Sequence, residues 1–471
     1  MERGEKCIDA NCVSMATADP ANPGIIRTIG RALRHRNYRL FFAGQLVSLV
    51  GTFLTQAATV WLVYRLTGDA WLLGVVGFAG QIPMFVLSPF AGVWADRVQR
   101  RNFIVVTQSL SGLQSLGLFF IAYFYGNNAH IAVPSLITLA VIQGIVNAFD
   151  MPARQAFLVE MVTDRNDLAN AIALNSTMVH GARLIGPATA GLLIAWVGES
   201  VCFLIDSISY IAVIAALLAM IIPRRTPRPP RSVLLELKEG LVYVWSFEPI
   251  RVLLILMAIL SLTGMPALSI LMPIFGAHFG GPAYGPQTFG FLGTASGLGA
   301  LVGAIYLASR KTVLGLGRLI AIAAVIFGLA AVGFSQSTHL WLSLMVLPIA
   351  GWAMIVNFAS ANTILQTLAD DDKRGRVMSF FSMAFVGMTP FGNLLAGFAA
   401  KHMTPAGLPP FIGATRAVLI AGILSVCAAL LYILKLPALR RIIRPIYVQK
   451  GILPQMAHGL AAADQLTDAG E

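Results

Sequence analysis

The sequence predicts an all-α membrane protein in which twelve transmembrane helices form two six-helix bundles. Three observations lead to this fold class. The first is composition, because 57% of the 471 residues are hydrophobic and only 11% are charged, whereas soluble domains carry about 25% charged residues. The second is a series of apolar runs, and the third is the distribution of Lys and Arg between the loops. This composition excludes a soluble enzyme and a disordered chain.

The apolar runs define the individual helices. A helix needs about 20 residues to cross the hydrocarbon core of a bilayer. Runs of suitable length lie at residues 40–64, 71–95, 102–125, 131–153, 170–196, 200–222, 252–275, 288–308, 318–335, 340–366, 376–400 and 412–436. These lengths favour helices over the roughly 10-residue alternating strands of a membrane barrel.

Lys and Arg lie almost entirely on one side of the predicted bundle. The N-terminal arm, every second loop after it and the C-terminal tail hold 29 of the 33. The loops of the other side hold only Arg65, Lys401 and Arg416, and Arg183 lies inside a span. Positive charge stays on the cytoplasmic side of a membrane. We therefore expect a multi-pass protein of the cell inner (plasma) membrane with both termini cytoplasmic, and no nucleic-acid partner for its net charge of +12.

The longest internal loop divides the chain into two sets of six spans. We predict a largely disordered cytoplasmic arm over 1–38, bundles over 39–222 and 252–437, and a cytoplasmic tail over 438–471. The loop at 223–251 begins as a stiff basic linker and continues as an amphipathic helix on the membrane surface. Two similar bundles predict a substrate path between them.

The loop after the second span carries the string G-V-W-A-D-R-V-Q-R-R. Its motif positions are Gly92, Asp96, Arg97, Arg100 and Arg101. The glycine allows close helix approach, the aspartate can accept hydrogen bonds from a helix N-terminus, and the arginines suit an anionic membrane surface. An ordinary basic loop explains the charges but not this spacing. The string resembles the G-x-x-x-D-R-x-G-R-R motif of the major facilitator superfamily, with Gln99 in place of a glycine.

The resemblance implies a gate. In that superfamily the acid of the motif contacts the start of helix 11 when the cavity opens outward. The corresponding partners of Asp96 here are Arg374 and Arg376, which follow Lys373 at the start of span 11. The three acids at 370–372 are expected to cap that helix and to compete for the same arginines.

The end of span 4 reads N-A-F-D-M-P-A-R-Q-A-F over residues 147–157. Asp150 and Arg154 are four residues apart with the acid first, which is a favourable helical pair. The string resembles one found in the enterobactin-exporter-like and macrolide-efflux-like branch, as does R-G-R-V-M from Arg374, and the resemblance covers about residues 30–437. A structural ion pair and a role in transport both explain the two charges.

Span 5 contains small residues and a proline at Gly181, Gly186, Pro187 and Gly191. Small residues permit close helix contact, and proline softens a helix. The segment resembles the glycine–proline motif of superfamily antiporters and exporters, although the last glycine is one residue further along and the paired glycines are absent. It favours export over uptake, and helix packing alone is the alternative.

Two ionisable residues lie inside spans, where a charge is costly and usually functional. Arg183 is about 13 residues from either end of span 5, and Asp206 is about six residues into span 6. At 1.5 Å per residue they are roughly 20 Å and 9 Å deep. Either they neutralise each other, or a proton or substrate carboxylate exchanges on Arg183 while Asp206 titrates. Ala140 occupies the position of an arginine that many proton-coupled drug exporters carry, so a coupled proton needs another group.

Polar residues at helical spacing mark the expected substrate cavity. Span 1 carries Gln45, Ser48, Thr52, Thr55, Gln56 and Thr59. A lipid-facing helix would not keep them, so we expect them to line the cavity, with hydrogen bonding between helices as the alternative. Further candidates are Asn357 and Asn393.

These features predict a secondary active transporter that exports a hydrophobic or amphipathic small molecule, a drug or siderophore, by proton antiport with alternating access. An importer of the same superfamily is the alternative. An intramembrane enzyme or membrane sensor is disfavoured because the chain lacks H-E-x-x-H, G-x-S-x-G and a phosphate-binding loop. We expect a monomer that needs no metal and no cofactor.

Overall fold

The structure, a computed structural model, describes residues 31–95, 98–162, 164–221, 241–310, 312–370 and 373–450. Within these ranges the regular structure is helical, and a 3-10 turn at Arg31–Arg34 precedes the first α-helix. The helices are α1 Arg36–Thr67, α2 Ala70–Ala95, α3 Arg100–Tyr125, α4 Ala129–Met161, α5 Arg165–Val197, α6 Glu199–Leu218, α7 Glu248–Ile270, α8 Met272–Ala308, α9 Leu316–Ser335, α10 Leu340–Leu368, α11 Arg374–Phe385, α12 Thr389–His402 and α13 Pro410–Gln449. The predicted linker helix falls mostly outside the described residues.

Eleven continuous helical segments of the described chain are long and apolar enough to cross a membrane. One of them, Glu248–Ala308, contains 61 residues, which gives a length of about 90 Å and suffices for two crossings. The chain reverses inside it at Gly281, which has φ 60° and ψ −165°. The helical segments before and after Gly281 are in contact, because a Cβ atom on Gly285 would lie 3.4 Å from Cα of Ala277. The described helices therefore make the twelve predicted crossings.

The connection between α1 and α2 shows how the short loops form. Gly68 ends α1 in the left-handed conformation with φ 61°, and its N–H bonds to the carbonyl of Tyr64. Asp69 then accepts a hydrogen bond from the N–H of Trp71 at 2.9 Å, which caps the start of α2. A glycine stop followed by an acidic cap produces a tight reversal.

The helices pack as two bundles. In the first half, α1 packs on α5 and α6, α2 on α4, and α3 on α4 and α6. In the second half, α8 packs on α10, α9 on α10 and α13, and α7 on α12 and α13. Two long seams join the halves, one between α2 and α12 and the other between α5 and α8. The fold is thus a pair of helical bundles with a potential path between them.

Among the described residues, the tightest main-chain contacts between the two halves lie toward one end. We call the end that carries the Lys- and Arg-rich loops the basic end, and the other the far end. Near the far end Gly74 of α2 faces Gly397 of α12, with a Cβ on Gly74 only 3.1 Å from the Gly397 Cα. On the seam face of α5, nothing lies within 4 Å of a Cβ built on Gly181, and Ala173 and Thr177 are exposed. Among the described residues, the seam face of α5 is therefore open toward the basic end.

Helix α13 extends beyond the predicted membrane span into the segment expected to be a tail. It continues to Gln449 because its end is held against the bundle. The Lys450 ammonium donates to the carbonyls of Thr367 at 2.7 Å and Ala369 at 3.2 Å, where α10 ends. Tyr447 is also buried there. The rest of the predicted tail lies outside the described residues.

Candidate functional site

Asp206 lies in the interior of the first half and has no cationic partner among the described residues. Its side chain is 2% exposed. Its carboxylate accepts a hydrogen bond from Ser115 of α3 at 2.9 Å and a longer one from Ser209 at 3.5 Å. Gly51 of α1 makes room for it, since a Cβ there would lie 2.6 Å from the carboxylate. The acid is therefore solvated by hydroxyl groups.

Arg183 lies on the other side of α1. Its guanidinium carbon is 5.6 Å from the centre of the Phe53 ring. Phe53 and Gly51 are two residues apart on α1, so they point to nearly opposite faces of the helix. No ion pair joins Arg183 to Asp206 in the described residues, and the alternative of mutual neutralisation is wrong for this conformation because α1 separates the two groups.

The predicted pair of Asp150 and Arg154 is confirmed as an ion pair within α4. Asp150 is 3% exposed. It also accepts hydrogen bonds from Thr107 at 2.6 Å and Gln108 at 3.0 Å, both on α3. These bonds join α3 to α4 and satisfy the buried charge, as a structural ion pair requires. A part in transport stays a prediction.

The predicted gating motif is described only in part. Asp96 and Arg97 lie outside the described residues, as do Asp371 and Asp372 of the acidic run. Gly92 is within the last turn of α2. Contact of Asp96 with the start of span 11 therefore stays a prediction.

The last two arginines of that motif bind helices of their own half. Arg100 donates to the carboxylate of Glu160, near the end of α4, at 2.6 Å. Arg101 donates to the main-chain carbonyls of Leu217 and Leu218 at 2.7 and 2.6 Å. These carbonyls belong to the C-terminus of α6, where a cation is favourable. Both arginines thus anchor the start of α3.

The start of span 11 is bound to its own half in a similar way. Arg374 donates through Nε to the carbonyl of Gln366 in α10 at 3.2 Å. Asp370 contacts Lys373 and the hydroxyl of Tyr243, each at 3.3 Å. The residue at the cap position is Lys373, and it makes no side-chain capping bond. Of the three acids expected to cap this helix, the described one is instead paired with a lysine.

The small residues of span 5 serve mainly in packing. Gly186 meets the Cβ of Phe53, so α1 and α5 approach closely. Gly191 faces Gly290 of α8 across the seam, with a Cβ there 2.9 Å from the Gly290 Cα. Gly181 faces open space. The packing alternative therefore accounts for the two glycines nearer the far end.

The polar stripe of α1 mostly faces protein. Gln45 and Ser48 are 2% and 1% exposed, and the hydroxyl of Thr52 is 3.4 Å from that of Tyr210 on α6. The prediction that Gln45 and Ser48 line the cavity is wrong, because small residues of α1 bring this face against α6. Thr52, Thr55 and Thr59 are half-buried, and Gln56 is exposed.

The two asparagine candidates have different surroundings. Asn357 is 3% exposed, donates to the carbonyl of Ile320 at 3.3 Å and has an unpaired Oδ1. It lies beside a small cavity lined by Met and Phe side chains. Asn393 belongs to the seam between α2 and α12, where its amide would be 2.8 Å from a Cβ on Gly77. Its predicted place in the cavity is wrong, since the seam is closed there.

Three cations at the far end are the exceptions to the charge bias, and each has a partner. Lys401 of α12 forms an ion pair of 2.7 Å with Asp69, which joins the two halves. Arg65 pairs with Glu199 at 2.7 Å within the first half. Arg416 donates to a main-chain carbonyl at 2.9 Å. The sequence shows that cations are scarce on this side, but it does not show which groups they contact.

Most of the chain matches the model of one protein family. The family model described as "Transmembrane secretion effector" matches residues 30–441. The chain belongs to this family of the major facilitator superfamily. The predicted superfamily and branch are therefore confirmed, and the protein is a multi-pass membrane protein.

Relatives of this chain include siderophore transporters and a multidrug efflux pump. It is 25% identical over 399 residues to the staphyloferrin A transporter of Staphylococcus aureus, covering 84% of this chain and 95% of that one. It is 27% identical over 404 residues to the multidrug efflux pump Tap of Mycolicibacterium fortuitum, covering 82% and 94%. It is 24% identical over 375 residues to the enterobactin exporter EntS of Shigella boydii, covering 79% and 87%.

Solved structures agree with the fold. The nucleoside transporter NupG superimposes with a TM-score of 0.67 at 11% identity, covering 84% of this chain and 98% of that one. A bacterial homologue of the human lysosomal transporter Spinster, in an inward-facing and unoccupied conformation, gives a TM-score of 0.64 at 14% identity, covering 86% and 98%. At these identities the likeness concerns the fold alone.

Proposed function

We propose that this protein exports a hydrophobic or amphipathic small molecule, such as a drug or a siderophore, by proton antiport with alternating access. The observation that carries the proposal is that, among the described residues, its halves are in close contact near the far end and the seam face of α5 is open toward the basic end. Alternating access requires two such arrangements, with the contact moving from one end to the other. We place both termini and the basic end in the cytoplasm, so this arrangement accepts substrate from inside.

The relatives support the substrate class and the direction. A siderophore transporter, a siderophore exporter and a multidrug efflux pump each match most of the chain. Siderophores and drugs share a size and an amphipathic character that a cavity between two bundles can accommodate. We therefore assign the chain a transport role and no catalytic one.

Asp206 is the proposed proton carrier. A carboxyl group that is 2% exposed, and that hydroxyls rather than a cation contact, can exist in both protonation states at modest cost. It lies directly against α1, and α1 also packs on the seam helix α5. Protonation of this group therefore has a short route to the helix that must move.

The test uses everted membrane vesicles, in which an exporter accumulates substrate. A panel of fluorescent lipophilic dyes and siderophores is offered with an imposed proton gradient, acidic inside. We expect wild-type vesicles to accumulate at least one compound. Asp206→Asn vesicles should exchange it down its own gradient without accumulation against it. Glu248→Gln serves as the matched control and should behave like wild type, because Glu248 is partly exposed and pairs with Lys435 of its own half.

Two results would contradict the proposal. Accumulation by right-side-out vesicles under the physiological gradient would identify an importer. Undiminished gradient-driven accumulation by Asp206→Asn would show that the proton binds elsewhere. Asp150, with its Arg154 partner, is then the next group to examine.

A further inference from the structure

Arg183 is an interior cation without an anion. No hydrogen bond or ion pair reaches it from any residue that the structure describes, and its recorded neighbour is the Phe53 ring at 5.6 Å. The other interior charges of the first half are satisfied, Asp150 by Arg154 and Asp206 by hydroxyls. An unpaired charge at this depth is costly unless water or a ligand compensates it.

The position of Arg183 is the point where the closed seam gives way to open space. Across the seam, a Cβ on Gly297 of α8 would lie 3.4 Å from the Arg183 carbonyl. Toward the far end the seam closes at Gly191 and Gly290, and toward the basic end Gly181 has no neighbour within 4 Å. Among the described residues, Arg183 therefore lies at the level of α5 where its close contact with α8 ends.

A second nitrogen donor lies one turn away. His180 precedes Arg183 by three residues on α5, which places the two side chains on one face. Its Nδ1 is buried and has no hydrogen-bond partner among the described residues. An imidazole nitrogen and a guanidinium together offer several donors directed at one small region. No acidic side chain of the described residues competes for them.

This geometry suits a carboxylate on an apolar body. Guanidinium binds a carboxylate through two parallel hydrogen bonds, and the Phe53 ring offers an apolar wall beside it. We propose that Arg183 and His180 form an anion subsite that binds the carboxylate of the exported molecule. The inference rests on the proposed export function and adds to it that the substrate is an amphipathic carboxylic acid.

The experiment compares two probes that differ in charge alone. Dansyl-phenylalanine carries a carboxylate, and dansyl-phenylalanine amide is its neutral counterpart. Each is titrated by fluorescence into the purified full-length protein in nanodiscs of phosphatidylcholine, which contain no anionic lipid to compete. We expect wild type to bind the acid about tenfold more tightly than the amide, as a charged hydrogen-bonded pair predicts.

Substitutions then locate the subsite. Arg183→Gln should lose about tenfold in affinity for the acid and keep its affinity for the amide. Arg183→Lys should recover part of the loss, since it keeps the charge without the planar fork. His180→Gln should lose less. Arg318→Gln is the matched control, because Arg318 is exposed at the start of α9 in the other half.

Binding of acid and amide with equal affinity by wild type, or no binding of either, overturns the anion subsite. An equal loss of both probes in Arg183→Gln does the same, because Arg183 would then not distinguish the carboxylate from the amide. Retained amide binding shows that a variant is folded. Export of lipophilic dyes from intact cells is scored separately. If cells export the dyes but the purified protein binds acid and amide equally well, the proposed export function is retained and only the anion subsite is contradicted.

Discussion

At the scale of single residues, three basic side chains surround one buried carboxyl group. Asp167, near the start of α5, is 2% exposed. Arg31, Arg34 and His35 surround it at 3.5, 3.2 and 3.1 Å and so fix the chain before α1 to α5. Burial raises the pKa of this carboxyl. Hydrogen bonds from His35 and Arg34 and the charges of Arg34 and Arg31 lower it by more, so the pKa is below its usual value of 3.8.

The lowered pKa of Asp167 predicts a pH dependence of stability. The stabilisation is fully present above pH 3.8, the ordinary value, and is lost as the pH falls through the lower folded value. Thermal unfolding of wild type and Asp167→Asn should therefore differ by a constant amount from pH 7 down to about 4 and converge below that. A difference that vanished between pH 7 and 5 would contradict the assignment.

At the scale of helices, small residues decide which faces can meet. On the α5–α8 seam, a Cβ on Gly191 would lie 2.6 Å from the carbonyl oxygen of Pro286. Main-chain atoms cannot move aside as a flexible side chain does, so one added methyl group is enough to force the seam apart. The glycines therefore set how tightly the far end closes.

The contrast between two glycines of α5 tests this packing. Gly191→Ala should reduce transport by about tenfold or more, because overpacking costs roughly 1–3 kcal/mol and here opposes the closed far end. Gly181→Ala is the matched control on the same helix, and it should transport normally because its Cβ meets open space. Dye efflux from cells, normalised to membrane expression, measures both. Equal activity of the two variants would show that transport does not require tight packing of this seam.

At the scale of the whole molecule, one ion pair joins the halves at the closed end. Lys401 contacts Asp69 at 2.7 Å, and the Asp69 side chain also caps α2. Both groups are partly exposed, at 49% and 26% of their side-chain area. Such pairs contribute about 0.2–1 kcal/mol. The pair is strong enough to bias the closed end without locking it.

Removing the far-end pair should shift the balance between the two arrangements. Lys401→Gln should raise the population with an open far end by up to about fivefold. Spin labels at the exposed Asn127 and Ala406 report the distance between the halves at this end. The exchanged pair Asp69→Lys with Lys401→Asp should restore part of the closure. An unchanged distance distribution in Lys401→Gln would show that the glycine seams alone hold the end shut.

The charge bias also predicts which end faces the cytoplasm. In a background free of native cysteines, a cysteine at Ala406 should react with a membrane-impermeant maleimide added to intact cells. A cysteine at Gln449 should react only after permeabilisation. Both positions are exposed and lie at opposite ends of the bundle. The reverse pattern would invert the topology and make the open end of the cavity extracellular.

The sequence by itself determined the number of crossings, the division into two bundles and the separation of charge between the two ends. These properties depend on runs of apolar residues and on loop composition, which are local and are selected by the bilayer. The pair of Asp150 and Arg154 was predictable for the same reason, since four residues on a helix fix its geometry.

Only the tertiary structure decided which interior groups meet. The α1 stripe was visible in the sequence, but helical periodicity defines a polar face without saying whether it meets α6 or the cavity. The sequence left open whether Arg183 and Asp206 neutralise each other, and the structure places α1 between them. The pair of Asp69 and Lys401 joins residues 332 positions apart. Such contacts depend on the lateral order and rotation of the helices, which long-range packing of small residues sets and no local pattern encodes.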